Sequence, residues 1–314
     1  RRGLSRVGSY ILILAMWLTI PPIAAIPLTL SADIGYLTAL FETVSGLTTT
    51  GASAIPSVSV IGPAGVFFRA ELQWLGGFLT LVTVATVLAA TGLGGLSRSQ
   101  VALVSGVEDR LGRILIGVRQ IFLAYAAVTL GCIVLLILSG IQPFHAVCIG
   151  LATLSTGGFM PIDGTFADYD NPFANAVVSV FMLVGATSIV WHRMVVEGRW
   201  HLVFRHRESY WVIATAIGLG ILYIFAFADP MGTTGATKPH WITAGFLTGI
   251  SLVSTTGFEA HPGALAAIPA TLALLVALIG ASGLSTSGGI KQYRVGALLM
   301  LSRLELRRLI KRNQ

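Results

Sequence analysis

The sequence predicts an all-α integral membrane protein built from a repeated unit: long span, half-span, glycine-bearing loop, second span. Three observations carry that expectation. The 314 residues are 54% hydrophobic and only 11% charged, with mean hydropathy +0.83, whereas a soluble domain carries about 25% charged residues. The apolar blocks are long enough to cross a hydrocarbon core roughly 30 Å thick. A Thr-Gly motif recurs three times, each time after an apolar stretch too short to cross. Alternating amphipathic strands of about ten residues are absent from the sequence, which argues against an outer-membrane barrel.

Charge sets the orientation. The formal net charge is +7. Spans are expected near residues 8–30, 63–91, 113–139, 172–196, 209–229 and 264–302. All but two of the 20 Lys and Arg then fall on one side. They are Arg1, Arg2 and Arg6, then Arg98, Arg110, Arg113 and Arg119, then Arg193, Arg199, Arg205 and Arg207. A C-terminal group adds Lys291, Arg294, Arg303, Arg307, Arg308, Lys311 and Arg312. Only Arg69 and Lys238 lie opposite, with Asp33, Asp163, Asp168, Asp170, Asp229 and Glu259. The positive-inside rule places the basic side in the cytoplasm. Both ends of this segment are therefore cytoplasmic, in keeping with six crossings. Juxtamembrane base accounts for the net charge, so no nucleic-acid partner is expected. Cys132 and Cys148 sit among apolar residues and read as small hydrophobes. The chain starts at Arg1 with no signal peptide before its first apolar run, and is expected to be a segment of a longer protein.

In chain order, Tyr10 to Leu30 is the first span, with Pro21, Pro22 and Pro27 expected to kink or end it. Tyr36 to Leu47 is half-length and ends in Thr48-Thr49-Thr50-Gly51-Ala52-Ser53. A span from about Gly65 holds Glu71-Leu72-Gln73-Trp74-Leu75-Gly76-Gly77, and a linker follows at Gly92 to Gly112. The pattern returns as Ile114 to Leu138, Gln142 to Leu154, Ser155-Thr156-Gly157-Gly158-Phe159, and Asn171 to Val196. It returns again as Tyr210 to Phe227, His240 to Val253 and Ser254-Thr255-Thr256-Gly257-Phe258. The units are expected at 1–112, 113–208 and 209–314. Their motif glycines lie about 100 residues apart. Six residues before each stands a small residue: Ser45, Ala152 or Ser251.

A half-span that enters from outside and turns back is a re-entrant pore helix. The negative end of its dipole lies near mid-membrane and favours a cation. The returning backbone cannot bond to lipid, so its carbonyls need protein, water or an ion. Glycine permits the angles that aim successive carbonyls at one axis, and Thr or Ser hydroxyls add oxygens or brace the loop. A ring of such loops can replace the hydration shell of a monovalent cation. The candidate filter residues are Thr49, Thr50 and Gly51; Thr156, Gly157 and Gly158; and Thr255, Thr256 and Gly257.

The last apolar block is interrupted at Gly280 to Lys291 by four glycines and four Ser or Thr, a poor helix. A break at that depth is expected to line a wet path or to be buried in protein. The residues singled out are Gly280, Gly283, Ser285, Gly288, Gly289 and Lys291. Lys291 is expected to face the cavity or this loop and to set an electrostatic barrier, with Arg294 nearer the cytoplasm. Glu42 is expected to pair with Arg69.

At these residues the chain resembles a known family. Phe41-Glu42-Thr43-Val44-Ser45-Gly46-Leu47-Thr48-Thr49-Thr50-Gly51-Ala52, Leu72 to Gly77, Thr255 to Phe258 and Gly288-Gly289-Ile290-Lys291 are similar to the TrkH family. Its members are the membrane subunits of bacterial Trk/Ktr potassium uptake systems, in a wider superfamily with the plant HKT transporters. The resemblance implies potassium uptake across the inner membrane and a pseudo-fourfold pore of four repeats. It implies bound potassium at Gly51, Gly158 and Gly257, and an intramembrane gate at Gly280 to Lys291. It further implies a homodimer with a cytoplasmic nucleotide-binding regulatory subunit of the TrkA or KtrA type. Only three repeats are found, and the fourth would begin where this chain stops.

Competing chemistry is weaker. An intramembrane serine protease needs a nucleophile elbow, but Ser285 is followed by Thr286, and His192 is the only histidine near a span on that side. The six histidines, His145, His192, His201, His206, His240 and His261, show no ligand spacing. Trp200 to Arg207 reads as juxtamembrane base open to lipid or a partner. Asp163, Asp168 and Asp170 read as a solvated outer loop. A sodium-selective or sodium-coupled relative would tend to carry serine at the first filter position, where Gly51 stands. An alternating-access carrier usually shows inverted repeats, and these are parallel. No enzymatic activity is expected.

Overall fold

The computed structural model describes residues 6–85, 110–227 and 238–311, and among these every regular element is helical. The first unit is α1 (Arg6–Ser31), α2 (Tyr36–Leu47) and α3 (Gly62–Thr83). The second is α4 (Arg110–Leu138), α5 (Pro143–Leu154) and α6 (Pro172–Ala186), continued by α7 (Ile189–Val196) and α8 (Trp200–Arg205). The third is α9 (Arg207–Leu222) with a π turn at Tyr223–Phe227, then α10 (Lys238–Ser254), α11 (Ala270–Ile279) and α12 (Gln292–Lys311). Arg1, Arg2, Arg98, Asp229, Arg312 and most of the expected linker lie outside the described residues.

Three described helical stretches are long and apolar enough to cross a bilayer: Tyr10–Ser31, Ile116–Leu138 and Arg207–Phe225; α6 with α7 makes a fourth if counted as one span. α3, at 22 residues, is roughly 33 Å long but carries Arg69, Glu71 and Gln73. Arg69 and Gln73 are on its buried side, which is how such groups are tolerated at membrane depth.

α2 packs between the spans of its own unit, and α5 and α10 pack in addition against the second span of the unit before. α5 packs on α4, α6 and α3, and α10 packs on α9 and α6. The main core follows this interlock, joining Leu136 of α4, Ile149 of α5, Met182 of α6, Val212 of α9 and Leu247 of α10, all fully buried. The first unit adds a second cluster, Ala25, Leu28, Ala39 and Val66, closed by Cys148 of α5. The outward faces of α1 and α4 remain apolar and exposed, for example Leu14, Leu18 and Leu130, as lipid contact requires.

Three local expectations are corrected. α1 runs through Pro21, Pro22 and Pro27 to Ser31. α2 clamps it at the proline pair: the Thr43 hydroxyl donates to the Pro21 carbonyl at 3.0 Å and the Tyr36 hydroxyl to that of Pro22 at 3.1 Å. The expected span at 172–196 is not one helix. It breaks at Thr187-Ser188, and α6 and α7 meet at 104°. The apolar run from Ala264 is not helical until Ala270, because Pro269 disfavours helix in the residue before it and serves as N-cap.

Candidate functional site

The half-length helices α2, α5 and α10 end in the same backbone motif. The amides of Thr50, Gly157 and Thr256 donate to the carbonyls of Ser45, Ala152 and Ser251, each at 2.9 Å. One residue earlier, Thr49, Thr156 and Thr255 donate to Gly46, Thr153 and Leu252 at 2.9, 3.1 and 3.3 Å. This is a Schellman motif, which requires a left-handed residue at its turn. That residue is Thr49 (φ 53°), Thr156 (φ 52°) and Thr255 (φ 58°). A threonine held there costs about 1–2 kcal/mol, the kind of strain found at functional loops. Two residues on, the chain is left-handed again at Gly51 (φ 76°), Gly158 (φ 83°) and Gly257 (φ 81°). Ser45, Ala152 and Ser251 thus supply the carbonyls that close the motif.

The three loops abut in sequence order. A Cβ built on Gly51 would strike the carbonyl of Gly157, and one on Gly158 would strike that of Thr256. A Cβ on Gly257 meets nothing among the described residues. The three glycines line one cavity of about 270 Å³, shared with Arg69, Asp163 and Glu259. Its acidic groups are also structural. Asp163 accepts from the Val58 amide at 2.7 Å and the Ser57 hydroxyl at 2.5 Å, joining the outer loops of units one and two. Glu259 accepts from the Gly263 amide at 3.2 Å; Asp168, outside the cavity lining, closes a capping box with Thr165, which lines it.

Side chains outside the loops hold them. Glu42 on α2 is fully buried and its Oε1 accepts from Ser53 Oγ (2.9 Å), Ala54 N (2.6 Å) and Ile55 N (3.3 Å). Its Oε2 pairs with Arg69 Nε at 2.8 Å. The Arg69 guanidinium lies 3.8 Å from the centre of the Phe159 ring, in the second loop. One helical turn on, Gln73 donates to the Gly157 carbonyl at 2.6 Å and accepts from the Phe159 amide at 3.2 Å. Arg69 was paired with Glu42 from the sequence; a role for Gln73 was not, because a single glutamine in an apolar helix has no pattern to betray it.

The Gly280–Lys291 stretch is a packed loop between α11 and α12. Gly280 (φ 65°) and Gly289 (φ 81°) are left-handed and lie back to back, so that a Cβ on either would strike the other strand of the loop. Ile290 and Lys291 donate to the last α11 carbonyls, Leu278 and Ile279, each at 2.8 Å. The middle of the loop inserts into the α6/α7 break. Ser282 and Thr286 amides donate to Ala186 and Gly185 carbonyls, each at 3.1 Å, and Ile189 donates to Leu284 at 2.9 Å. The two broken helices therefore satisfy each other's free backbone groups. The loop also touches the C-terminal ends of α5 and α10. Thr286 Oγ1 donates to the Leu154 carbonyl at 2.9 Å, and the Gly288 amide donates to Thr255 Oγ1 at 2.7 Å. Ser285 is buried and bonds within the loop, to the Ser282 carbonyl (2.6 Å) and to Ser287 Oγ (2.8 Å). The Lys291 ammonium turns back to the Ser287 carbonyl, and to its hydroxyl at 3.3 Å. Glu208, at the start of α9, accepts from the Gly283 amide at 2.5 Å.

Four of the histidines bond to nearby side chains. His145 bonds Tyr169 (3.2 Å), His192 bonds Thr187 (2.8 Å), His206 bonds Ser209 (3.1 Å) and His261 bonds Tyr223 (2.9 Å). Among the described residues no group of three metal-ligating side chains converges. On the basic side, the hydrogen bond from Arg193 holds the Glu197 carboxyl below its ordinary range.

Comparison with known proteins gives these elements a family. The family described as TrkH, Cation transport protein, matches residues 7–210. The chain is 28% identical over 316 residues to the Trk system potassium uptake protein TrkH of Escherichia coli K12, covering 98% of this chain and 65% of that protein. It is 28% identical to TrkG of the same strain over 312 residues (96% and 62%) and 28% identical to TrkI of Halomonas elongata over 305 residues (96% and 61%). The crystal structure of the potassium transporter TrkH from Vibrio parahaemolyticus superposes with a TM-score of 0.80 at 25% identity, covering 98% of this chain and 63% of that one. The chain thus spans less than two thirds of the length of these relatives. With three half-length helices, three glycine loops and a matching family over most of its length, this chain is a membrane protein that belongs to the TrkH family of cation transport proteins.

Proposed function

We propose that this chain forms the larger part of a potassium uptake pathway, with a carbonyl-lined filter at Gly51, Gly158 and Gly257 and a gate at Gly280 to Lys291. The observation that carries the reading is the threefold backbone identity of the loops. A left-handed Thr and a left-handed Gly, two residues apart, follow each half-length helix and meet at one cavity. Backbone turned this way at a helix C-terminus offers carbonyl oxygens to a dehydrated cation. The names of the relatives, potassium uptake proteins, support potassium as the cargo.

A fourth unit completes the ring in this reading. It would stand beside Gly257, whose flank is open among the described residues, and beside α11, which buries none of its residues and exposes Leu274, Leu275 and Leu278. The gate reading rests on the loop's position, tied to both the Leu154 carbonyl and Thr255. A homodimer in a bacterial inner membrane, regulated by a nucleotide-binding subunit of the TrkA or KtrA type, follows from the family alone.

The complete gene should restore growth of a potassium-uptake-deficient bacterium at low potassium and support rubidium uptake that sodium does not replace. Absence of rubidium uptake would sink the proposal; uptake of sodium in its place would move the chain to the sodium-selective branch.

A further inference from the structure

We propose that Gln73 is a positioning residue for ion discrimination, replacing in the second filter loop a hydroxyl that the other two loops supply for themselves. The proposal rests on the pathway reading above. In the first loop, Thr48 and Thr50 hydroxyls bond at 2.7 Å; in the third, Ser254 and Thr256 do the same at 2.7 Å. The corresponding residues of the second loop are Ser155 and Gly157, and Gly157 has no hydroxyl. Gln73, reaching across from the preceding unit and fully buried, occupies that place instead.

Gln73 acts on both peptide groups that flank Gly158. Its Nε2 donates to the Gly157 carbonyl and its Oε1 accepts from the Phe159 amide. One partner can only accept and the other can only donate, so the orientation of the amide is fixed by chemistry. The fit is reciprocal. A Cβ on Gly157 would collide with the Gln73 carboxamide, and the φ of Gly157 is not in the left-handed region. Gly157 is therefore a glycine to admit Gln73, not to make a turn.

The next interface shows the complementary choice. Gly76 packs on the carbonyl of Leu47 and Gly185 packs on that of Leu154, each the last residue of its half-length helix. Three residues before Gly76 stands Gln73; three before Gly185 stands Met182. Where the span carries a glutamine at this position the following loop has glycine, and where it carries a methionine the loop has Thr256 with its own hydroxyl pair. Setting two adjacent peptide planes fixes the direction of the carbonyls that face an ion, which is the basis of discrimination in a carbonyl filter.

The test uses the complete protein in a potassium-uptake-deficient strain, with membrane levels measured and initial uptake of radiolabelled rubidium and sodium compared. Gln73→Met keeps the volume and removes both bonds; the rubidium-to-sodium ratio should fall about tenfold or more at wild-type membrane levels. The double variant Gln73→Ala with Gly157→Thr restores a loop hydroxyl and should recover the ratio. An unchanged ratio in Gln73→Met, beside a wild type that carries rubidium, overturns the role of Gln73 alone. A wild type that carries no rubidium overturns the pathway reading and this role together. If Gln73→Met fails to accumulate, the double variant decides: accumulation with the wild-type ratio supports the proposal, and failure to accumulate or to discriminate overturns it.

Discussion

Arg69 Nε lies 2.8 Å from Glu42 Oε2, and neither side chain is more than 3% exposed. The pair joins the first half-length helix to the second span of its own unit. Glu42 also caps three groups after the first loop, and Arg69 stacks on Phe159 after the second. The first two glycine loops are thus coupled through one buried ion pair. Breaking such a pair by removing one partner typically costs about 3–5 kcal/mol, because the other charge is left uncompensated.

Arg69→Met and Glu42→Gln are each expected to destabilise by that order. The double variant should lose less than the sum of the two. A double-mutant cycle on thermal unfolding in detergent measures this, and strict additivity would show that the two side chains do not act as a pair.

The glycines make a sharper steric prediction. Gly51→Ala and Gly158→Ala meet both left-handed strain and a neighbouring carbonyl, and should abolish uptake. Gly257→Ala meets only the strain among the described residues. In the complete protein, however, it should be as damaging as Gly158→Ala, because the fourth unit is proposed to stand there. Uptake that tolerates Gly257→Ala while failing in Gly158→Ala would count against a closed fourfold ring. Gly51→Ser places the same Cβ against the Gly157 carbonyl and should likewise abolish rubidium uptake; uptake at the wild-type level would count against the filter assignment.

The α6/α7 break and the 280–291 loop hold each other through Thr286, which bonds the Gly185 and Leu154 carbonyls at 3.0 and 2.9 Å. The single hydroxyl proton is shared between the two carbonyls; Thr286→Val keeps the shape and removes it. It is expected to loosen the loop and raise basal rubidium flux severalfold, since a lost buried hydrogen bond is worth about 1 kcal/mol. Flux at the wild-type level, with normal membrane abundance, would show that Thr286 does not restrain the loop.

What the sequence disclosed depended on repetition and on composition. Gly51, Gly158 and Gly257 stood out because three copies shared one register, and Gly280 to Lys291 because a Gly/Ser run is foreign to an apolar helix. Thr187-Ser188 did not stand out: two polar residues in an apolar run read as tolerated, and the 104° turn there depends on a loop about 100 residues later. The α1 prolines do not end their helix, which continues to Ser31. Gln73 lies in a stretch that carries the family resemblance, but its role is not legible there: it belongs to one unit only and acts on the next.

Lys291 tests the gate most directly. It is left-handed at φ 82°, unusual for a residue with a long side chain, and its ammonium returns to Ser287 inside the loop rather than reaching for the headgroups. Glu208 meets the same loop from α9 through the Gly283 amide. One cation and one anion therefore fasten opposite parts of the closed loop. A cation at a constriction also opposes the passage of cations. Lys291→Met removes both the fastening and the charge and should raise rubidium flux. Glu208→Gln weakens the fastening while leaving the positive charge, and should raise flux less. Comparing the two in proteoliposomes of the complete transporter, at matched protein, separates barrier from latch. Equal increases would mean that fastening alone closes the loop, and no increase in Lys291→Met would remove the barrier altogether.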